Sequence, residues 1–95
     1  MSKERKHEYL RPSDARGGRQ ISYEGVAIEI VEINEVKNPF GASTYVVAYR
    51  VRDNRQAPSF VSQVAHFFAN ENMNLIDEFR KIRDHYEEIK SQLRS

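Results

Sequence analysis

Nine basic residues carry the chemistry this sequence offers most plainly: Lys3, Arg5, Lys6, Arg11, Arg16 and Arg19 near the N-terminus, and Arg50, Arg52 and Arg55 near the middle. Ammonium and guanidinium groups neutralise phosphates without reading bases, and each contact releases counterions. The first six share residues 1–20 with only three acidic groups, Glu4, Glu8 and Asp14, so that segment carries +3 in a chain whose total is +1. This asymmetry, more than the total, points to the backbone of DNA or RNA as a partner. Arg16-Gly17-Gly18 is the kind of tripeptide found in disordered RNA-binding segments. Six phosphate contacts from these residues to a single strand give a slope of log affinity against log salt of roughly −4. Arg50, Arg52 and Arg55 extend the basic set beyond the arm.

Catalytic chemistries find less support. Cysteine is absent, and no serine lies in a Gly-x-Ser-x-Gly elbow or near a histidine, so no enzyme is expected. His85 stands beside Asp84 and three residues before Glu88, but a third convincing ligand is missing, so no metal is expected there and the trio reads as a solvated helix face. His7 falls in the polar N-terminal segment and His66 in an apolar run. Glu24, Glu29, Glu32 and Glu35 line a strand; acid–base work needs an enclosed site that separates two pKa values, and the carboxylates read instead as charges that keep a strand soluble. Gly17-Gly18 precedes a strand and not a helix, which excludes a P-loop. No cofactor is expected.

The elements that must position these residues form one domain, because 95 residues build a single core. The absence of cysteine fits a reducing compartment, and no apolar run follows the N-terminus, so a cytoplasmic location and no membrane partner are expected. Residues 1–20 are polar, lack an apolar period and contain Pro12, Gly17 and Gly18; they read as a flexible basic arm ahead of an α+β domain over 21–95. Residues 21–36 are dense in β-branched side chains and read as one long strand, with a bulge near Ile30-Val31 to re-phase its apolar face. Asn38-Pro39-Phe40-Gly41 is a turn signal. A second strand over 44–52 puts Tyr45, Val47, Tyr49 and Val51 on the core face, with Thr44, Val46, Ala48, Arg50 and Arg52 on the wetter one. Residues 59–69 fit either a helix capped by Ser59 or a third strand.

The C-terminal helix is marked by Leu75, Phe79, Ile82, Tyr86, Ile89 and Leu93 at spacings of four and three, with Asn74 and Asp77 at capping-box spacing. The expected architecture is an antiparallel β-meander of two or three strands covered by this helix. Phe79 and Tyr86 share a heptad position that a two-stranded coiled coil fills with Ile, Val or Leu, which favours packing on the sheet; a homodimer through the helix is the alternative use of the stripe.

The expected function is that of a small non-catalytic nucleic-acid-binding protein or accessory subunit of a replication, transcription or translation complex. The alternative is a protein-interaction module, a subunit or inhibitor of a larger protein complex, acting through a helix face or strand edge. One objection stands against the first reading. Single-strand platforms need aromatics on the exposed face, and Tyr45 and Tyr49 are expected opposite Arg50 and Arg52.

Overall fold

The computed structural model describes residues 9–94; Lys3, Arg5, Lys6 and His7 lie outside the described residues. A short 3-10 turn at Pro12–Asp14 is followed by β1 (Gln20–Tyr23), β2 (Val26–Lys37), β3 (Ser43–Asp53), β4 (Phe60–Val61), β5 (Ala65–Asn70) and the helix α1 (Leu75–Arg94). All pairings are antiparallel. β2 lies between β1 and β3, and the far side of β3 is shared by β4 at one end and β5 along the rest. The α+β architecture is therefore as expected, with five strands among the described residues instead of two or three.

The extra strands come from two local features. The expected strand over 21–36 is two strands, because Glu24-Gly25 turns the chain with φ of 53° and 93°. Positive φ at both central residues is the hairpin geometry whose twist matches its flanking strands, and glycine takes it without a Cβ penalty. A Cβ on Gly25 would also meet Arg55 Cγ at 2.6 Å, so the Arg55 stem lies across this turn. The second feature is residues 59–69, which adopt the strand alternative. Ser59 caps no helix; its hydroxyl donates to Asn54 Oδ1 at 3.0 Å.

Two finer expectations hold. The β2–β3 register shifts between Ile30 and Glu32, leaving Val31 as the bulged residue, and the bulge lets Ile33 join the same apolar face as Ile28 and Ile30. The Asn38 side chain accepts from Phe40 N–H at 2.8 Å and Ala42 N–H at 3.3 Å, closing the turn as an asparagine at that position should.

α1 begins where Asn74 Oδ1 accepts from Ile76 N–H at 3.1 Å, an N-cap contact. Its first turns bury Leu75, Ile76 and Phe79 against Val26, Ile28, Ile30, Val47 and Val51. Tyr49, Phe67 and Phe79 form a ring triangle with centroids 5.7, 6.0 and 6.4 Å apart in tilted or edge-on geometry. The stripe outruns the sheet. Ile89 is exposed and Leu93 is 81% exposed.

The arm reading is corrected over residues 9–20. Leu10, Pro12 and Ala15 are buried, Leu10 N–H donates to Asn74 Oδ1 at 2.9 Å, and Leu10 C=O accepts from Leu75 N–H at 2.8 Å. Tyr9 donates to the Asn72 carbonyl at 2.8 Å and Ser13 to Glu71 at 2.7 Å. Gly17 crosses the bulge so closely that a Cβ would stand 2.8 Å from the Val31 carbonyl oxygen. Spaced apolar residues without a period are invisible to pattern reading, yet they suffice to cap an open end of a small core. Leu10→Ala is accordingly expected to cost about 2–3 kcal/mol in urea denaturation followed by circular dichroism. A change below about 0.5 kcal/mol, the size of an ordinary surface substitution, would return this segment to the arm.

Candidate nucleic-acid interface

α1 and residues 9–15 join the apolar cluster on one side of the sheet, and among the described residues no helix packs on the other, uncovered side. Strand alternation decides what that side presents. On β3 it presents Val46, Ala48, Arg50 and Arg52; on β2, Asn34, Glu32, Glu29 and Ala27 stand directly opposite them. On β5, Phe68 stands opposite Val46 and His66 opposite Ala48. Phe68 is 72% exposed, whereas its neighbour Phe67 packs on the core. The uncovered face thus holds an exposed aromatic ring and a histidine on β5 beside two arginines further along β3. Val46 and Arg50 are four residues apart, about 13 Å at the usual strand rise.

Glu29 governs the two arginines. Arg50 Nε donates to its Oε1 at 2.7 Å and Arg52 Nε to its Oε2 at 2.8 Å. Arg52 first and Arg50 second hold the Glu29 carboxyl below its ordinary pKa, against the opposing effect of burial. One carboxylate between two guanidiniums leaves this trio a surplus of one positive charge, which Glu32 on the same face balances. Glu29 occupies one edge of each fork, and the Arg50 and Arg52 side chains remain 41% and 33% exposed. A guanidinium has five N–H donors, so each keeps donors to offer an outside phosphate while its orientation is fixed from below.

The other expected contacts do not join this patch. Arg11 lies over the Tyr9 ring, 5.7 Å from its centroid. Its neighbour Leu10 is bonded to Leu75 at the start of α1. Arg16 is exposed and lines a shallow cleft with Pro12, Ser13, Ile33, Glu35 and Tyr45. Arg19 is exposed just ahead of β1, where its carbonyl accepts from Ile30 N–H at 2.8 Å. Arg55 is committed elsewhere: it donates from Nε and Nη2 to the two oxygens of Asp53, both at 2.9 Å, and from Nη1 to Glu87 at 2.8 Å. Leu75 and Glu87 are twelve residues apart on α1, about 18 Å at the helical rise, so Arg11 and Arg55 belong to opposite ends of the molecule.

Arg55 is a structural residue because Asp53 is. The Asp53 side chain is 0% exposed and also accepts from Tyr86 Oη at 2.7 Å, Lys90 Nζ at 2.9 Å and Arg55 N–H at 3.0 Å. The Arg55 guanidinium is the strongest influence holding this carboxyl far below the usual range; burial opposes it, and Lys90 and Tyr86 reinforce it. Burial and the Asp53 bond push the Tyr86 hydroxyl up to about 12.

Among the described residues no cluster of three His, Asp or Glu is placed to hold a metal, and His85 approaches only Glu88, at 4.0 Å. Glu24 pairs with Arg83 at 2.7 Å, Glu32 accepts from Asn34 at 3.1 Å and Glu35 accepts from Ser43, so the four carboxylates of β1–β2 each have a local partner and share no enclosed site. No described helix is long and apolar enough to cross a membrane.

Phe68 is an exposed ring on the uncovered face that the sequence patterns do not single out. The Phe67-Phe68 doublet held the signal, since in any strand one of two adjacent rings faces away from the core; it stayed hidden while 59–69 was open to a helical reading. No family model, curated protein or solved structure matches the chain.

Proposed function

We propose that this protein is a non-catalytic, cytoplasmic accessory subunit that binds single-stranded nucleic acid across the uncovered face of its sheet. The observation that carries the reading is the placement of the exposed Phe68 ring on the same face as Arg50 and Arg52. Bases of any identity stack on an aromatic ring, and fixed guanidiniums take the flanking phosphates; this combination binds single strands with little sequence preference. It also removes the objection raised by the buried positions of Tyr45 and Tyr49. Within this reading Arg50 and Arg52 are the phosphate contacts, His66 is a second planar surface, and Arg55 is withdrawn from the contact set. Arg11, Arg16 and Arg19 add attraction at a distance.

Fluorescence anisotropy of labelled single-stranded DNA and RNA with the full chain tests it. Phe68→Ala is expected to weaken binding by about 5- to 150-fold, the range of 1–3 kcal/mol per stacked base. Two phosphate contacts give a salt slope of about −1.4, which Arg50→Ala/Arg52→Ala should bring close to zero. Equal affinity of parent and Phe68→Ala overturns the proposal.

The second reading, a protein-interaction module, draws on a different place. Phe60, Ile89 and Leu93 line an apolar groove with Val51 and Tyr86 where α1 outruns the sheet. An apolar lining with little charge suits a protein surface better than a phosphate backbone.

A further inference from the structure

Residues 57–70 contain no Lys, Arg, Asp or Glu, in a chain of which 31% is charged. They include β4 and β5, which form the outer edge of the sheet beyond β3. Among the described residues β5 pairs with β3 alone. Soluble proteins guard such edges with charged side chains, proline or a covering element, because an open row of N–H and C=O groups accepts another strand. The opposite edge follows that practice: β1 is four residues long and flanked by Arg19 and Glu24.

The phase of the free groups can be read from two independent contacts. Ser62 N–H donates to the Val51 carbonyl at 2.8 Å and Val51 N–H to Ser62 Oγ at 2.9 Å, so Val51 directs its main-chain groups toward the β4–β5 side. By alternation Tyr49, Val47 and Tyr45 do the same, and their partners Ala65, Phe67 and Ala69 receive those bonds. His66, Phe68 and Asn70 then turn their main-chain groups away from the sheet. Asn70 agrees, because its N–H meets Met73 Sδ at 3.3 Å and its carbonyl accepts from Met73 N–H at 3.1 Å. The N–H and C=O of His66 and Phe68 therefore point outward.

We propose that this edge is a dimerisation surface, on which β5 pairs antiparallel with β5 of a second copy of the chain and continues the sheet across a two-fold axis. Three features select a second copy. A two-fold axis brings identical edges together, and an edge without charge meets its own image without like-charge repulsion. Antiparallel pairing is what that axis requires, and a register with His66 of one copy opposite Phe68 of the other uses every outward main-chain group of both residues in four hydrogen bonds. A charged foreign peptide would find no complementary charge on this edge. In the dimer each Phe68 ring lies beside the His66 ring of the other copy, and the two uncovered faces become one surface.

Sedimentation velocity of the full chain tests the proposal. The expected mass is twice the 11.1 kDa of one chain. His66→Pro removes an outward N–H at an edge position, the place where a strand accepts proline, and should give a monomer with the circular dichroism and unfolding midpoint of the parent measured at matched low concentration. Phe68→Lys places like charges beside the axis and should also give a monomer; it decides the matter if the proline variant does not fold. Ile89→Glu/Leu93→Glu should leave the dimer intact. A monomeric parent at its highest soluble concentration overturns the proposal, and so does a dimer that survives folded edge variants or is lost in the helix double variant. Oligonucleotide binding by the parent separates the two proposals: a dimer that binds no single strand, or a binding chain that never dimerises, removes one and leaves the other.

Discussion

Truncation of Phe79 to alanine is expected to cost about 3–5 kcal/mol, the loss recorded when a buried aromatic leaves a cavity. Phe79 is fully buried and closes the ring triangle with Tyr49 and Phe67, so its removal unpacks the contact through which α1 holds β3 and β5. Small domains are stable by about 5–15 kcal/mol, and a 95-residue chain without disulfides belongs near the lower end. Much of the variant should be unfolded at physiological temperature. Leu93→Ala, on the same stripe but four-fifths exposed, should leave the thermal midpoint almost unchanged. The pair is read by thermal circular dichroism, and equal midpoints for Phe79→Ala and the parent would refute the packing described for α1.

Replacement of Asp53 by asparagine is the second large effect, expected at about 3 kcal/mol. The substitution keeps the shape of the side chain but leaves Arg55 and Lys90 facing a neutral amide, and removing one partner of a buried ion pair strands the others. Arg55 and Lys90 reach solvent, which sets the cost at the lower end of the usual range. The same contacts fix a pH dependence. A carboxyl whose folded pKa lies below its unfolded value contributes stability that is complete above the unfolded pKa, near 4, and is lost as pH falls toward the folded one. Stability of the parent should therefore drop with acid below about pH 4, more steeply than that of Asp53→Asn. Glu29, depressed in the same sense by Arg52 and Arg50, adds an acid loss common to both proteins. Parallel acid limbs in urea titrations would contradict the network.

What the sequence made legible follows from where its patterns were long. The α1 stripe repeats over twenty residues, and the β-branched density of β2 with the alternation of β3 is unambiguous, so the helix, the central strands and the bulge at Val31 could all be anticipated. Short signals were lost. Glu24-Gly25 is a two-residue turn inside an otherwise continuous β-forming run, and a single glycine is weak evidence until its φ is known. Leu10, Pro12 and Ala15 are buried individually through tertiary contacts that no local pattern records. The candidate site was half visible. Arg50 and Arg52 were placed together by alternation, but Glu29 between them and Phe68 beside them depend on strand order and register. Arg55 counts with the basic residues by charge alone, and its pairing with Asp53 and Glu87 depends on tertiary contacts that no local pattern records.

Titration of a short single-stranded oligonucleotide into isotopically labelled full-length protein, followed through backbone amide shifts, tests whether a single strand lies on the uncovered face of the sheet. The largest changes are expected at Val46, Ala48, Arg50, Arg52, His66 and Phe68, with Arg55, Glu87 and the core face of β3 unmoved. Changes confined to Arg11, Arg16 and Arg19 or to α1, or no changes at low salt, would contradict that placement.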